Sequence, residues 1–217
     1  PAESSILNNL KQIDQAAEQA ADLAKQMLAY SGKGKFVTAT VDLNLLLEEM
    51  MHMLKVSISK NVVLRLNPCS PLPAIDVDVT QLRQIIMNLV INASEAIGET
   101  NGAISITTGC LDCDQRYLKD GWLNDKLADG SYVYLEVTDS GCGMDKATLK
   151  KIFDPYFTTK FTGRGLGMSA VMGIVRGHKG AIKIYSEPGK GTTFKVLLPA
   201  SENTAGTFTG AEKNDHW

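Results

Sequence analysis

The chain has 217 residues, 44% of them hydrophobic and 21% charged, which suits a soluble globular protein with a buried core: one good-sized domain plus an appendage, or two small domains. A formal net charge of −2 with no Lys/Arg block speaks against a nucleic-acid footprint, and no apolar run approaches the ~20 residues of a membrane span. No signal peptide opens the chain, and it begins at Pro1 without a methionine, so a fragment is expected and an upstream anchor or sensor is left open.

Residues 4–31 predict one long helix. Ile6, Leu10, Ile13, Ala17, Ala20, Ala24 and Met27 recur at alternating spacings of four and three, a heptad seam that wants partner helices. "SGKGK" after it reads as a hinge. "KFVTATVD" predicts a short strand, and "LNLLLEEMMHMLKVS" an amphipathic helix with Asp42 as its N-cap. "NVVLRL" reads as a strand and "NPCSPLPAI" as a proline-rich connection.

The clearest helix is 79–97. Asp78 followed by Gln81 has the form of an acidic capping box, and Leu82, Ile85, Ile86, Leu89, Ala93 and Ala96 make the buried face. Beside that face runs a polar stripe: Gln84, Asn88, Asn92 and Glu95. "GAISITTG" and "YVYLEVTD" then predict strands around a polar excursion, 110–131. A mobile-looking stretch, 144–164, leads to a helix at 167–177; "AIKIYSE" and "GTTFKVLLP" close the domain around the turn "PGKG". The expected fold is α+β, a mixed sheet covered on one face by helices. The polar tail after Ala200 reads as a linker or disordered end. Of the cysteines, Cys110 and Cys113 form one CxxC, and Cys69 and Cys142 stand apart; with no second pair at zinc spacing, all four read as reduced thiols of a cytosolic protein.

The glycines of "TGRGLGMSAVMGI" pose the functional question. A Walker A loop fails for want of the Lys. Gly165, Gly167 and Ala170 satisfy G-x-G-x-x-A, with Glu187 twenty residues after Gly167, yet a dinucleotide fold needs a buried strand before the first glycine and "FTTKFTGR" is polar and basic. What remains is Gly163, Gly165 and Gly167 before a helix N-terminus, where N–H groups and the helix dipole favour an anion and Lys160 and Arg164 could bond phosphate oxygens. The complementary contacts are present: side-chain carbonyls on the 79–97 helix suit Mg²⁺ beside phosphate and water. Asp139 at a strand end could accept from an adenine amino group, with Gly141 and Gly143 making room for the base.

This set of motifs resembles the ATP-binding catalytic domain of sensor histidine kinases, in the Bergerat superfamily shared with DNA gyrase, MutL and Hsp90-type chaperones. "QIIMNLVINASEAI" looks like the N box, "DSGCGM" the G1 box, "IFDPYFTTK" the F box and "GRGLGMSAVMGIV" the G2 box, in family order over residues 36–199. The excursion "DQRYLKDGWLNDKLADGSYVYLEV" resembles the nitrogen-sensor and hybrid-kinase branches.

The resemblance implies a two-layer α/β sandwich over 36–200, a remnant of the dimerisation hairpin over 1–33 and a tail over 201–217. It implies ATP and Mg²⁺ as ligands, with Asn92 on the metal, Asn88 beside it and Glu95 nearby. It places Asp139 on adenine with Gly141 and Gly143 against the base, and makes Met144 to Gly165 the ATP lid. Phe153 and Phe157 would anchor that lid, Thr159 and Gly163 would belong to it, and Lys160 and Arg164 would reach the phosphates. Gly165, Leu166 and Gly167 would begin the helix over the triphosphate.

Hydrolysing members of the superfamily carry Glu at the position of Asn88. An amide has no useful basicity, so phosphotransfer to an imidazole is expected over hydrolysis. The acceptor, however, should be His followed by an acidic residue. His52 precedes Met53, His178 ends the glycine-led helix and His216 lies in the tail. The acceptor helix is therefore expected upstream, outside this sequence, and the chain is expected to bind Mg·ATP without phosphorylating itself. Implied partners are that helix, a response-regulator receiver domain and a second copy through residues 4–31. An ATP-hydrolysing enzyme of the gyrase or MutL kind and a non-catalytic nucleotide-sensing module remain as alternatives.

Overall fold

The computed structural model describes residues 37–119, 122, 127–159 and 165–202. The expected helix over 4–31, its hinge, residues 160–164 (with Lys160, Gly163 and Arg164) and the tail beyond 202 lie outside the described residues.

The elements run β1 (Ala39–Val41), α1 (Leu43–Ser57), β2 (Val62–Asn67), β3 (Ile75–Val77), α2 (Val79–Ile97), β4 (Gly102–Cys113), α3 (Gln115–Lys119), β5 (Gly130–Asp139), α4 (Lys146–Lys151), α5 (Gly167–Gly177), β6 (Ala181–Glu187) and β7 (Gly191–Pro199). Five strands form one mixed sheet in the order β2-β4-β5-β7-β6. Only the β2–β4 pair is parallel; the others are antiparallel.

Strand alternation sorts the side chains between the two faces of this sheet. On one face Ile104, Ile106, Val133, Leu135, Val137 and Val196 join Leu47 and Met50 of α1, Ile86 and Leu89 of α2, and Val171 and Ile174 of α5 in the main core. This is the expected helix-covered face. The opposite face is not bare. Lys195 Nζ pairs with Glu136 Oε2 at 2.7 Å and sits over the Tyr134 ring, and Thr138 and Thr193 share a hydroxyl bond of 2.9 Å. Beyond them the excursion adds its own helix, α3, whose Leu118 closes a second small cluster with Cys113, Tyr132, Ala181 and Leu197.

Three details depart from the sequence reading. Of the expected strand around 35–42, three of the described residues form β1, and its partner is β3, which begins at the last residue of the stretch read as a connection. Strand β4 runs four residues into the expected excursion, to Cys113. Ala96 is not core: it is half-exposed and faces a cavity. The four cysteines are free thiols, and Cys110 and Cys113, three apart on one strand, stand on opposite faces of the sheet.

Candidate nucleotide site

Helix α2 starts where the sequence says it should. Asp78 accepts from the amides of Thr80 and Gln81 at 2.9 and 3.1 Å. The backbone N–H of Asp78 in turn donates to His178 Nε2 at 3.0 Å, and His178 Nδ1 lies 2.8 Å from the carbonyl of Ile174. With Nε2 accepting, Nδ1 is the nitrogen that donates to Ile174, and the ring clasps the two helices together. This clasp pins the C-terminus of α5 to the N-terminus of α2, so the two helices run in opposite senses. The start of α5 therefore lies against the middle of α2: a Cβ on Gly167 would come within 3.0 Å of Asn88 Oδ1.

Helices α1, α2 and α4 all open on an aspartate cap, from Asp42, Asp78 and Asp145 respectively. Helix α5 opens on Leu166, and no side chain caps it among the described residues. Its first residues, Gly167 and Met168, line a cavity of about 520 Å³. One wall of that cavity is the C-terminal half of α2, through Asn92, Ala93, Glu95 and Ala96. Another is the segment from Met144 through Thr148 and Ile152 to Phe157, Thr158 and Thr159. Gly165, Gly167 and Met168 form the α5 end, and Asp139, Gly143 and Thr192 the floor.

Asp139 is buried, 5% exposed. Its Oδ1 accepts from the amides of Gly141 at 2.8 Å and Thr192 at 3.3 Å, while Oδ2 has no protein partner among the described residues. Burial pushes its carboxyl above the ordinary value, and the two amide bonds pull it partly back. A buried carboxylate with one oxygen satisfied by backbone and the other facing a cavity is a directed acceptor.

The loop around it interlocks with the β6–β7 turn. A Cβ on Gly143 would strike the carbonyl of Glu187, a Cβ on Gly191 would strike that of Asp139, and the Gly189 amide donates to the Cys142 carbonyl at 2.7 Å. Main chain packs on main chain, leaving no room for side chains.

Most expected residues converge here: Asn92, Glu95, Asp139, Gly143, Met144, Phe157, Thr159, Gly165 and Gly167 all line the cavity. Four are placed otherwise. Asn88 is not a lining residue; it supports the first turn of α5. At Gly141 the backbone of Ala96 lies where a Cβ would go, so this glycine lets the loop pack directly on α2. Leu166 is buried at the α5 start. Phe153 turns inward, its ring edge-on to Trp122 with centroids 5.6 Å apart. The sequence reading missed Thr148, Ile152 and Thr192 as lining residues. Thr192 faces the floor because it is paired with Asp139 across β5 and β7, a register that local spacing cannot supply.

The model of the histidine kinase-, DNA gyrase B- and HSP90-like ATPase family matches residues 77–202, more than half of the chain. The chain belongs to this family.

Within the family it is most like histidine kinases. It is 35% identical over 204 residues to the sensor kinase CckA of Brucella abortus, a match covering 92% of this chain and 20% of CckA, so the chain spans about a fifth of that relative's length. The catalytic domain of histidine kinase ThkA superposes with a TM-score of 0.59 at 30% identity, covering 77% of this chain and 97% of that domain. ThkA solved in complex with the response regulator protein TrrA gives a TM-score of 0.62 at 26% identity, over 87% of this chain and 49% of that one. Sequence and fold are thus those of the ATP-binding catalytic domain of a sensor histidine kinase. No helix among the described residues is long and apolar enough to cross a membrane.

Proposed function

We propose that this domain binds Mg·ATP in the cavity and hands the γ-phosphoryl to a histidine on a helix supplied from outside this sequence. The observation that carries the reading is the uncapped start of α5 facing Asn92 and Glu95 across one cavity, with the half-satisfied Asp139 at its floor. Unbonded amides and the positive end of a helix dipole are complementary to phosphate. Asp139 Oδ2 accepts a hydrogen bond from the adenine amino group.

The donor set fits a metal that arrives with the nucleotide. Among the described residues no three His, Cys, Asp or Glu side chains cluster, whereas Asn92 and Glu95, one turn apart, both line the cavity. A carboxamide oxygen is a hard ligand, and Mg²⁺ keeps most of its shell as water and phosphate. Bound there, Mg²⁺ would supply charge neutralisation between the phosphates.

The acceptor comes from elsewhere: His178 is committed to the α2–α5 clasp through both ring nitrogens, and exposed His52 is followed by Met53 where an acceptor would have an acidic neighbour. Asn88, beneath the first turn of α5, offers no basic atom to activate water, which favours transfer over hydrolysis. The natural partners of this reading are a phosphoacceptor helix and a receiver domain, and its natural location the cytoplasm, where ATP is.

Calorimetry with Mg·ATP and incubation with γ-labelled ATP test it together. The expected result is saturable binding, no label on the chain and no steady phosphate release. Steady turnover would favour an ATP-hydrolysing enzyme. A flat titration would overturn the nucleotide reading itself.

A further inference from the structure

The excursion between β4 and β5 carries a tryptophan whose position has no role in the reading above. On one side of the sheet, Tyr117 of α3 lies under Lys183 Nζ, 3.6 Å from the ring centroid, and Leu118 is fully packed in the second cluster. Three residues beyond α3, Trp122 is on the other side. Its backbone N–H donates to the Ile182 carbonyl at 3.1 Å, on the free edge of β6, and its ring packs against the main core. There it meets Phe153 edge to face, at 5.6 Å and 64°.

Strand β6 confirms the crossing. Lys183 points to the α3 side, whereas Ile182 and Ile184 belong to the core on the helix side. Trp122 and α3 therefore stand on opposite sides of the sheet at its β6 edge.

Phe153 is only 9% exposed, and its chain neighbour Ile152 lines the cavity, as do Phe157, Thr158 and Thr159 just beyond. Helix α4, which leads into this segment, has six residues and buries none of them. The wall of the cavity thus has little hydrophobic anchorage of its own, and Phe153 is its one fully packed aromatic.

We infer that Trp122 is a positioning residue for nucleotide binding: at the β6 edge, on the helix side of the sheet, it holds Phe153, and through Phe153 the cavity wall from Ile152 to Thr159. The inference rests on the Mg·ATP reading of the cavity. An edge-on aromatic pair contributes beyond its buried area, and its loss frees the wall without touching any lining residue.

The test uses the full chain with Trp217→Phe, which leaves Trp122 as the sole tryptophan. Adding Mg·ATP should change Trp122 emission along the same curve that calorimetry gives. Trp122→Ala should weaken Mg·ATP binding roughly five- to tenfold, and Trp122→Phe, which keeps an aromatic edge, should restore most of it. Both variants are also melted without nucleotide. If Trp122→Ala lowers the melting temperature but binds Mg·ATP like the parent, or if Trp122 emission is silent while calorimetry shows binding, the inference is overturned. If the parent shows no binding heat, it is the nucleotide reading that fails. Should Trp122→Ala not fold, Phe153→Leu, which removes the ring partner and keeps apolar bulk, is expected to give the same loss of affinity, and unchanged affinity there overturns the inference.

Discussion

Helices α2 and α5 lie side by side and begin in opposite ways. Helix α2 spends an aspartate on its first turn, as do α1 and α4; α5 begins on a buried leucine and a glycine and leaves its first turn to the cavity. An N-cap contributes about 1 kcal/mol. Helix α5 forgoes that, and is held instead by the His178 clasp at its other end and by Ala170, Val171, Ile174 and Val175, all about 1% exposed or less. A helix secured from its C-terminus can keep an unsatisfied N-terminus in a fixed place. That separates anchoring from binding.

The most forceful challenge leaves both helix ends alone. Asp139→Asn keeps an oxygen for the Gly141 and Thr192 amides but replaces the second acceptor with a donor. Hydrogen bonds to charged groups are worth ~1.5–3 kcal/mol, so Mg·ATP affinity should fall roughly ten- to a hundredfold by calorimetry. Stability should move the other way. The native carboxyl is raised by burial, so the folded state holds its proton more firmly than the unfolded one. Its contribution is present at low pH and is lost as pH rises through the native value. The nucleotide-free Asp139→Asn protein should therefore melt higher than the parent at neutral pH, and the gap should close as pH falls below the carboxylate range. Equal affinity for ATP would remove Asp139 from the base-reading role.

On the α2 side, Asn92→Ala should cost about tenfold in Mg·ATP affinity, a hydrogen-bond-sized loss, while affinity measured in EDTA changes far less. Equal losses with and without Mg²⁺ would show that Asn92 does not act through the metal. On the α5 side, Gly167→Ala places a methyl 3.0 Å from Asn88 Oδ1. Helix propensity gains up to ~1 kcal/mol, so the melting point should hold or rise, yet affinity should drop about threefold as the first turn is pushed off α2. The smallest effect belongs to the capped helix: Asp78→Ala should lower stability by about 1 kcal/mol in urea unfolding and leave affinity within error. If Asp78→Ala weakened binding as much as Gly167→Ala, the two helix starts would not differ in kind.

Much of this was readable in the chain because it is local. The Asp78 cap, the Leu82–Ile86–Leu89 face and the strand alternation of "YVYLEV" are all set within a few residues, and they stand as expected. The family motifs also assembled into one cavity, since each lies at an element end that faces it. What could not be read is non-local. Strand β3 is three residues long, and it is a strand only because β1, some thirty-five positions earlier, pairs with it. Phe153 reads in the sequence as a lid anchor, but the ring it packs against, Trp122, sits in the polar excursion, at no spacing that a pattern could reveal. The close approach of Gly141 to Ala96, on a helix some forty-five positions earlier, is equally invisible to local spacing.

The interlock of Gly143 with Glu187 and of Gly191 with Asp139 has a practical corollary for anyone wishing to retune this domain. Where peptide groups abut one another, there is no rotamer to adjust and no bulk to trade, so a damaging change there has no second-site remedy nearby. On the Mg·ATP reading, altered base preference is therefore to be sought at side chains such as Met144 and Thr192, which line the same cavity without joining that interlock.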